Sequence, residues 1–176
     1  MTRDEEQVVL LADDGTQIGT APKATVHSTD TPLHLAFSCH VRDDAGRILV
    51  TRRATTKRTW PGVWTNSFCG HPAPGESMES AVARRALDEL GITLSGLELR
   101  LPSFRYLATD AAGIVENEIC PVFTAWTGDD VLPDPDEVAE YRWVDEAALS
   151  TAVTAAPWAF SPWLTLQLPA LAAAVA

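Results

Sequence analysis

The sequence predicts a single α+β domain, and three observations support that prediction. Short apolar runs separated by Asp- and Gly-containing turns indicate β-hairpins near the start and in the second half of the chain. Between them, residues 77–90 carry apolar side chains at helical spacing and are flanked by residues suited to helix ends. The 176 residues are 46% hydrophobic, which is enough to bury one sizeable core. We expect one domain over residues 1–176, with its core at about 30–165 and residues 1–7 flexible.

Two hairpins are predicted in the first third of the chain. One surrounds the turn DDG at 13–15 and the other surrounds the turn DDAG at 43–46, and each turn has an apolar run on both sides. Because the hairpins follow one another, this part of the chain is predicted to form a β-meander.

One helix is predicted after the loop that contains WPGVWTNSFCGHPAPG. Val82, Ala86 and Leu90 lie on one helical face, and Ser77 is suited to the N-cap. Gly91 can adopt the left-handed conformation that ends a helix.

The second half of the chain predicts further strands and a helical end. Residues 103–109 and 114–126 form a long hairpin around the turn DAAG, with Pro121 marking an edge or a bulge. Residues 140–149 are predicted to be a strand that enters a helix.

The uncharged tail over 147–176 is apolar, but it is predicted to be packed helix and loop. A membrane span needs about 20 consecutive apolar residues. Three prolines are expected to divide the tail into shorter pieces: Pro157, Pro162 and Pro169.

Composition indicates a soluble cytoplasmic protein. A formal charge of −11 argues against a nucleic-acid or membrane partner. Because acidic residues precede the first apolar run, we expect no secretory signal. Three cysteines at no paired spacing do not make a disulfide framework, and Cys39 and Cys120 are interpreted as small buried hydrophobes.

The charge is unevenly distributed along the chain. Residues 129–146 hold eight acids and one Arg, whose simplest role is solubility. Five of the thirteen cations lie within residues 47–58, so a local anion site can exist on this acidic protein.

The predicted helix and its lead-in contain a spaced set of residues: Gly70, Glu76, Arg84, Asp88, Glu89 and Gly91. That spacing resembles the Nudix box, in which a Gly-rich loop and a helix direct carboxylates at a divalent metal on a diphosphate. The position after Arg84, normally Glu, is Arg85, which counts against diphosphate hydrolysis. Arg85 and Glu89 lie on one helical face and form either a surface pair or part of a diphosphate-and-metal site. The alternative for the whole motif is a solvated amphipathic helix.

Two further patterns contain reactive side chains. Cys69 and His71 flank Gly70 and point to the same side of an extended backbone. Glu116 and Glu118 lie on one face of a strand, where two carboxylates repel unless a cation or a proton relieves them. This pattern is typical of a metal or proton-transfer site, and the alternative is a solvated strand face.

The four histidines are interpreted by their context. His27 and His34 lie in the loop HSTDTPLH, and each alone is more typical of a structural residue than of a ligand. Together with His71 and two carboxylates, however, these imidazoles suit Mn²⁺, Mg²⁺ or Zn²⁺. His40 is interpreted as structural.

Four strings in the chain are unusually specific: TRR, WPGVWTNSFCGHP, FRYLATDAAGIVENEICPVF and PWAFSPW. They resemble the type I isopentenyl-diphosphate isomerases, which have the Nudix fold, and the similarity runs from about residue 8 to 168. The resemblance implies an α/β/α sandwich with a mixed β-sheet, around which the Nudix-type helix and the C-terminal helices pack. It also implies reversible isomerisation of isopentenyl diphosphate to dimethylallyl diphosphate, in isoprenoid biosynthesis, by metal-assisted proton transfer at the C5 alkene.

The resemblance also implies roles for individual residues. Cys69 and Glu118 match the proton-transferring pair, and Tyr106 and Trp163 match positions around the alkene. The diphosphate contacts are Lys23, Arg53, Lys57 and Arg85. The ligands of a single octahedral metal site are His27, His34, His71, Glu116 and Glu118, while Glu89 is associated with a second Mg²⁺.

The family therefore predicts Mg²⁺ and Mn²⁺ as cofactors, with Zn²⁺ a further candidate at the His/Glu site and no organic cofactor. We expect a monomer or weak homodimer that acts on a small diphosphate. One rival hypothesis is a Nudix diphosphate hydrolase. A second is a non-catalytic diphosphate-binding or metal-storage protein, which the full occupation of the motif positions disfavours.

Overall fold

The structure, a computed structural model, describes residues 6–174. Residues 1–5 of the segment expected to be flexible lie outside the described residues, and Gln7 already begins the first strand. The strands in the described part are β1 (Gln7–Leu11), β2 (Gln17–Pro22), β3 (His34–Leu35), β4 (Phe37–Arg42), β5 (Ile48–Arg53), β6 (Trp64–Thr65), β7 (Phe68–Gly70), β8 (Ser95–Leu101), β9 (Arg105–Thr109), β10 (Val115–Ile119), β11 (Val122–Trp126) and β12 (Val138–Val144). The helices are α1 (Lys23–Val26), α2 (Met78–Leu90), α3 (Glu146–Ala155) and α4 (Pro162–Ala173), with a 3₁₀ turn at Pro157–Ala159.

The strands form two mixed sheets. The first has the order β2-β1-β3-β10-β9, and the second has the order β12-β5-β4-β11-β8, with β6 and β7 paired to β5 and β4. The pairs β3–β10 and β4–β11 are parallel, whereas the other pairs are antiparallel. The predicted α+β class is confirmed, with two mixed sheets in place of one.

Both early hairpins form, but the β-meander prediction was wrong. The chain leaves the first sheet at Ala36, between β3 and β4, so the two hairpins belong to different sheets. Ala36 donates its N–H to Ile119 of the first sheet, while the next strand pairs within the second.

The later hairpin is also divided between the sheets. β9 and β10 pair as predicted, but Pro121 lies where the chain crosses to β11 in the second sheet. The Pro121 carbonyl accepts a hydrogen bond from the Ser38 N–H, so the two crossing points lie beside each other.

The second sheet is covered by helices on both faces, which makes the predicted α/β/α sandwich. In β5, successive side chains point to opposite faces. Leu49 packs in the cluster that contains Val82 of α2, while Ile48 and Val50 pack in the cluster that contains residues of α3 and α4.

The helix predicted at 77–90 is α2. Ser77 is its N-cap and accepts a hydrogen bond from the Ser80 N–H, and Gly91 ends it with φ 66°. The strand entering a helix at 140–149 is also confirmed, as β12 and α3.

The tail is packed helix and loop, as predicted. Pro157 and Pro162 stand at the starts of helical segments, but Pro169 lies inside α4 and does not divide it, because Leu164 and Leu168 anchor that helix in the core. No helix formed by residues 6–174 is long and apolar enough to cross a membrane.

Candidate active site

A cavity of about 310 Å³ lies between residues contributed by the two sheets and by α2 and α4. Eleven of the thirteen predicted site residues line it: Lys23, His27, Arg53, Lys57, Cys69, His71, Arg85, Tyr106, Glu116, Glu118 and Trp163. The other two do not line it. His34 is fully buried beside the other histidines, and Glu89 is buried against Arg85.

The fold places the histidines and carboxylates together from distant parts of the sequence. His27 ends α1, His71 follows β7, and the parallel pairing of β3 with β10 sets His34 directly opposite Glu118. Ligand atoms of these four residues lie within 4.8 Å of one another. Glu116 joins them through an oxygen 3.2 Å from His27 Nε2.

The donor set suits a divalent metal. His34 Nε2 lies 3.4 Å from Glu118 Oε1, yet among residues 6–174 neither this nitrogen nor His27 Nε2 has a partner with hydrogen-bond geometry, although both are buried. Buried polar atoms without partners are rare in folded proteins. His34 Nδ1 is 2.9 Å from the Pro32 carbonyl, and such a contact typically orients a metal-binding imidazole.

The electrostatics of this cluster favour an ionised carboxylate. Burial alone would raise the pKa of Glu118, but its contacts, led by His34, outweigh burial and lower the pKa to about 2. Burial alone would lower the pKa of His34, but the contact with Glu118 raises it. Burial and the neighbouring His34 lower the pKa of His71 well below its usual range, which keeps His71 neutral and able to bind metal.

Cys69 lies on β7 opposite Ser38 of β4, and its thiol faces the same cavity. Its Sγ donates to Asn66 Oδ1 at 3.2 Å and lies 3.3 Å from Ser38 Oγ. Burial raises the pKa of Cys69 to about 12, so that the thiol keeps its proton at neutral pH. Cys39 and Cys120 are buried, as predicted.

Two aromatic side chains form the apolar wall. The Tyr106 hydroxyl donates to Glu118 Oε2 at 2.9 Å, and the Trp163 Nε1–H donates to Asn66 Oδ1 at 2.9 Å. The two rings lie 5.6 Å apart, and the Arg53 guanidinium lies 5.5 Å from the Trp163 ring centroid.

The cationic wall is formed by the four predicted diphosphate contacts, three of which are paired with acids. Arg85 Nε donates to Glu89 at 2.8 Å, and Lys23 Nζ binds Glu6 at 2.6 Å. Lys57 binds Glu137, which also lies 3.5 Å from Arg85. Because Arg85 and Glu89 are each only 6% exposed, the alternative of a surface pair is wrong.

The sequence reasoning missed several residues of this site. Glu137 was one of eight acids in a stretch assigned to solubility, but it lines the cavity, as does Glu6. Asn66 is fully buried and holds both Cys69 and Trp163. His34 lies on a strand, although its sequence neighbours indicated a loop. Asn66 could have been predicted as a site residue, because it lies in the same TNSFCGH string as Cys69 and His71.

The chain matches one domain family, and two of its relatives share one name. Residues 32–164 match the NUDIX domain family. An isopentenyl-diphosphate Delta-isomerase of Clavibacter sepedonicus is 70% identical over 171 residues, which cover 97% of this chain and 90% of the relative. One of Leifsonia xyli subsp. xyli is 66% identical over 176 residues, covering 99% of this chain and 95% of that protein.

Solved structures show the same fold. A Deinococcus radiodurans protein superposes with a TM-score of 0.72 at 17% identity, covering 93% of this chain and 98% of its own. A MutT protein from Methanosarcina mazei Go1 gives a TM-score of 0.63 at 20% identity, with 82% and 96% covered. At these identities the likeness describes the fold alone.

Proposed function

Since the chain belongs to the NUDIX domain family and, within it, to the isopentenyl-diphosphate Delta-isomerases, we propose that the cavity is its active site and that Cys69 and Glu118 transfer the protons. The protein is an isomerase that interconverts isopentenyl diphosphate and dimethylallyl diphosphate. The observation that carries the assignment of roles is that the Cys69 thiol and the Glu118 carboxylate line one cavity, where the pKa of the thiol is raised and that of the carboxylate is lowered.

The isomerisation needs one proton given and one proton taken. Starting from a protonated Cys69 and an ionised Glu118, the thiol gives its proton to the terminal alkene carbon while Glu118 accepts a proton from C2, and the double bond moves between them. The pair ends with its protonation states exchanged, which is the starting state for the reverse direction. No electron is gained or lost.

The aromatic wall favours positive charge on the alkene. Protonation of the alkene develops a tertiary cation, and an indole face stabilises a cation by about 0.5–2 kcal/mol. Trp163 and Tyr106 supply that face, while Trp163 also excludes water, since it is 2% exposed. The substrate is thereby held close to its acid and base, which raises their effective concentration.

The cationic wall of the cavity is suited to the diphosphate. Lys23, Arg53, Lys57 and Arg85 line it, and substrate oxygens would replace part of their pairing with Glu6 and Glu137. The altered box position, Arg85, thus holds the diphosphate. This arrangement disfavours the hydrolase alternative, because Arg85 places a cation where the Nudix box normally has a Glu.

The buried imidazoles and carboxylates fit a divalent metal, as the unpartnered nitrogens indicate. We propose Mg²⁺ or Mn²⁺ there, with Zn²⁺ a further candidate, bound by His27, His34, His71, Glu116 and Glu118. A second Mg²⁺ near Glu89 would neutralise diphosphate charge. When bound, the metal at the histidines supplies positive charge that holds Glu118 ionised and oriented. No organic cofactor is proposed.

The same proposal covers the wider setting of the protein. We propose one domain over residues 1–176, a monomer or weak homodimer with neither nucleic acid nor membrane as partner, and a cytoplasmic location. Cys69 and Cys120 both lie 3.3 Å from Ser38 Oγ as free thiols, so an oxidising compartment would endanger the proposed catalytic thiol.

The function is tested by incubating the purified protein with isopentenyl diphosphate and either Mg²⁺ or Mn²⁺. The expected result is an equilibrium mixture with dimethylallyl diphosphate and no phosphate release. The protein with a panel of nucleoside diphosphate derivatives provides the control for hydrolysis. Phosphate or nucleoside monophosphate release without isomerisation would overturn the proposal in favour of a hydrolase.

A further inference from the structure

Behind the Cys69 thiol lies a buried chain of uncharged polar groups. Ser38 and Gln167 are both fully buried, and Gln167 Nε2 donates to Ser38 Oγ at 2.9 Å. Ser38 Oγ in turn lies 3.3 Å from Cys69 Sγ. Neither residue lines the cavity, so neither would touch the substrate.

We propose that Ser38, oriented by Gln167, is a positioning residue for the Cys69 sulfur and supplies the hydrogen bond that the sulfur needs once it has given up its proton. This inference rests on the proposed function of Cys69 as a proton donor and acceptor. It requires that the hydroxyl hydrogen of Ser38 can point toward Cys69 Sγ.

The direction follows from counting donors and acceptors. A serine hydroxyl has one hydrogen, and its oxygen accepts through two lone pairs. Because the Gln167 amide already donates to that oxygen, the Ser38 hydrogen is left for a sulfur. Gln167 is held in turn by its Oε1, which is 2.9 Å from His40 Nε2.

The second contact of Cys69 cannot take over this role. Asn66 Oδ1 accepts from Cys69, from Trp163 Nε1 and from Thr65 Oγ1, and its Nδ2 donates to two backbone carbonyls. Asn66 can therefore accept the thiol hydrogen but has none to offer a thiolate. Within residues 6–174, Cys69 Sγ has these two polar contacts, and of the two only Ser38 can donate a hydrogen bond to the sulfur.

Cys120 competes for the same hydrogen. Its Sγ also lies 3.3 Å from Ser38 Oγ, and it is buried. Removing Cys120 therefore leaves Cys69 as the remaining sulfur acceptor for the Ser38 hydrogen. Cys120→Ala is thus a matched control, in which the hydrogen bond to Cys69 is kept or strengthened and not lost.

The test compares the steady-state kinetics of Ser38→Ala, Cys120→Ala and Gln167→Met with those of the wild type. For Ser38→Ala we expect kcat to fall about tenfold to a hundredfold, because a hydrogen bond to a charged group is lost in the transition state. KM for the diphosphate should stay within about twofold, since no substrate contact is removed. Cys120→Ala should match or exceed wild-type kcat, and Gln167→Met should lie between the wild type and Ser38→Ala. An unchanged kcat in Ser38→Ala, or an equal loss in Cys120→Ala, would overturn the inference.

A second measurement judges the inference without turnover. In a Cys39→Ala/Cys120→Ala background, the infrared S–H stretching band belongs to Cys69 alone, and adding Ser38→Ala should shift it. Circular dichroism checks that each variant is folded. If the S–H band of the folded protein does not shift, Ser38 does not position the Cys69 sulfur, whether or not the wild type is active. If the wild type is inactive, only the proposed function is contradicted.

Discussion

At the residue scale, Glu118 is the side chain on which the two halves of the site converge. It contacts His34 and His71 on the side of the proposed metal site and accepts from the Tyr106 hydroxyl on the side of the proposed alkene site. Burial and the Glu118 charge raise the pKa of Tyr106 well above its usual range, so the hydroxyl remains a donor. Tyr106 therefore holds one carboxylate oxygen while the other faces the histidines.

This contact predicts the effect of Tyr106→Phe. Loss of one hydrogen bond to a charged group should lower kcat by about tenfold or more, with little change in KM. Steady-state kinetics checks this expectation, with Phe104→Leu as the control because Phe104 packs beside Tyr106 without bonding Glu118. Wild-type kcat in Tyr106→Phe would show that Glu118 does not depend on this hydroxyl.

His40 predicts a loss of stability in acid. Burial lowers its pKa to about 4, with only partial opposition from Gln167; the charges of Arg42 and Glu146 act in opposite directions. The unfolded chain therefore binds more protons than the folded chain between about pH 6.5 and 4. The contribution of His40 to the free energy of unfolding is fully present above about pH 6.5. It falls by about 3 kcal/mol as the pH drops to about 4.

Denaturant unfolding at several pH values measures this contribution. His40→Leu removes the titrating group, so its stability should depend less steeply on pH over the same range, whatever its absolute stability. Equal pH slopes for the variant and the wild type would contradict the assignment.

What the sequence revealed at this scale depended on residue type. Cys69, the histidines and the Glu116–Glu118 pair are rare or charged, and their spacing already indicated chemistry. Asn66, Ser38 and Gln167 are uncharged and common, and only burial gives them a role. Glu137 was hidden among its acidic neighbours, because its proximity to Lys57 and Arg85 exists only in the fold.

At the element scale, α2 shows how far local signals reach. Its bounds were predictable because Ser77 and Gly91 specify the two ends through their own backbone preferences. The sheet order was not predictable in the same way. The crossings at Ala36 and Pro121 depend on which distant strands pair, and a local apolar pattern does not specify that pairing.

The two ends of α2 predict unequal losses of stability. Ser77→Ala should lower the free energy of unfolding by about 1 kcal/mol through loss of the cap. Gly91→Ala should cost about 1–2 kcal/mol or more, because alanine is strained in the left-handed region and its Cβ would meet the Leu132 carbonyl. That new contact would be 3.1 Å long. Thermal unfolding of both variants checks the order, and an unaffected Gly91→Ala would contradict it.

At the scale of the whole molecule, the proposed metal-binding cluster joins the two sheets. His34 and Glu118 belong to the first sheet, whereas His71 directly follows β7 of the second. A metal held by all three would bind the folded protein alone, because the unfolded chain does not bring these residues together. Its binding therefore adds to the stability of the fold.

Metal addition is accordingly expected to raise the melting temperature. At a concentration a hundredfold above its dissociation constant, the ion adds about 2.7 kcal/mol, or roughly 5–10 °C for a chain of this size. Calorimetry with Mn²⁺, Mg²⁺ or Zn²⁺ after chelation measures the shift, and His34→Ala should abolish it. A shift that survives in His34→Ala would place the stabilising metal elsewhere.

The proposed roles of Cys69 as acid and Glu118 as base in moving the double bond can be tested directly. The metal-loaded wild type, Cys69→Ala and Glu118→Gln are incubated with isopentenyl diphosphate in D₂O, and the products are followed by NMR. We predict that the wild type yields dimethylallyl diphosphate with deuterium incorporated, and that both folded variants yield neither product nor exchange. Isomerisation at near wild-type rate in either variant would contradict these roles.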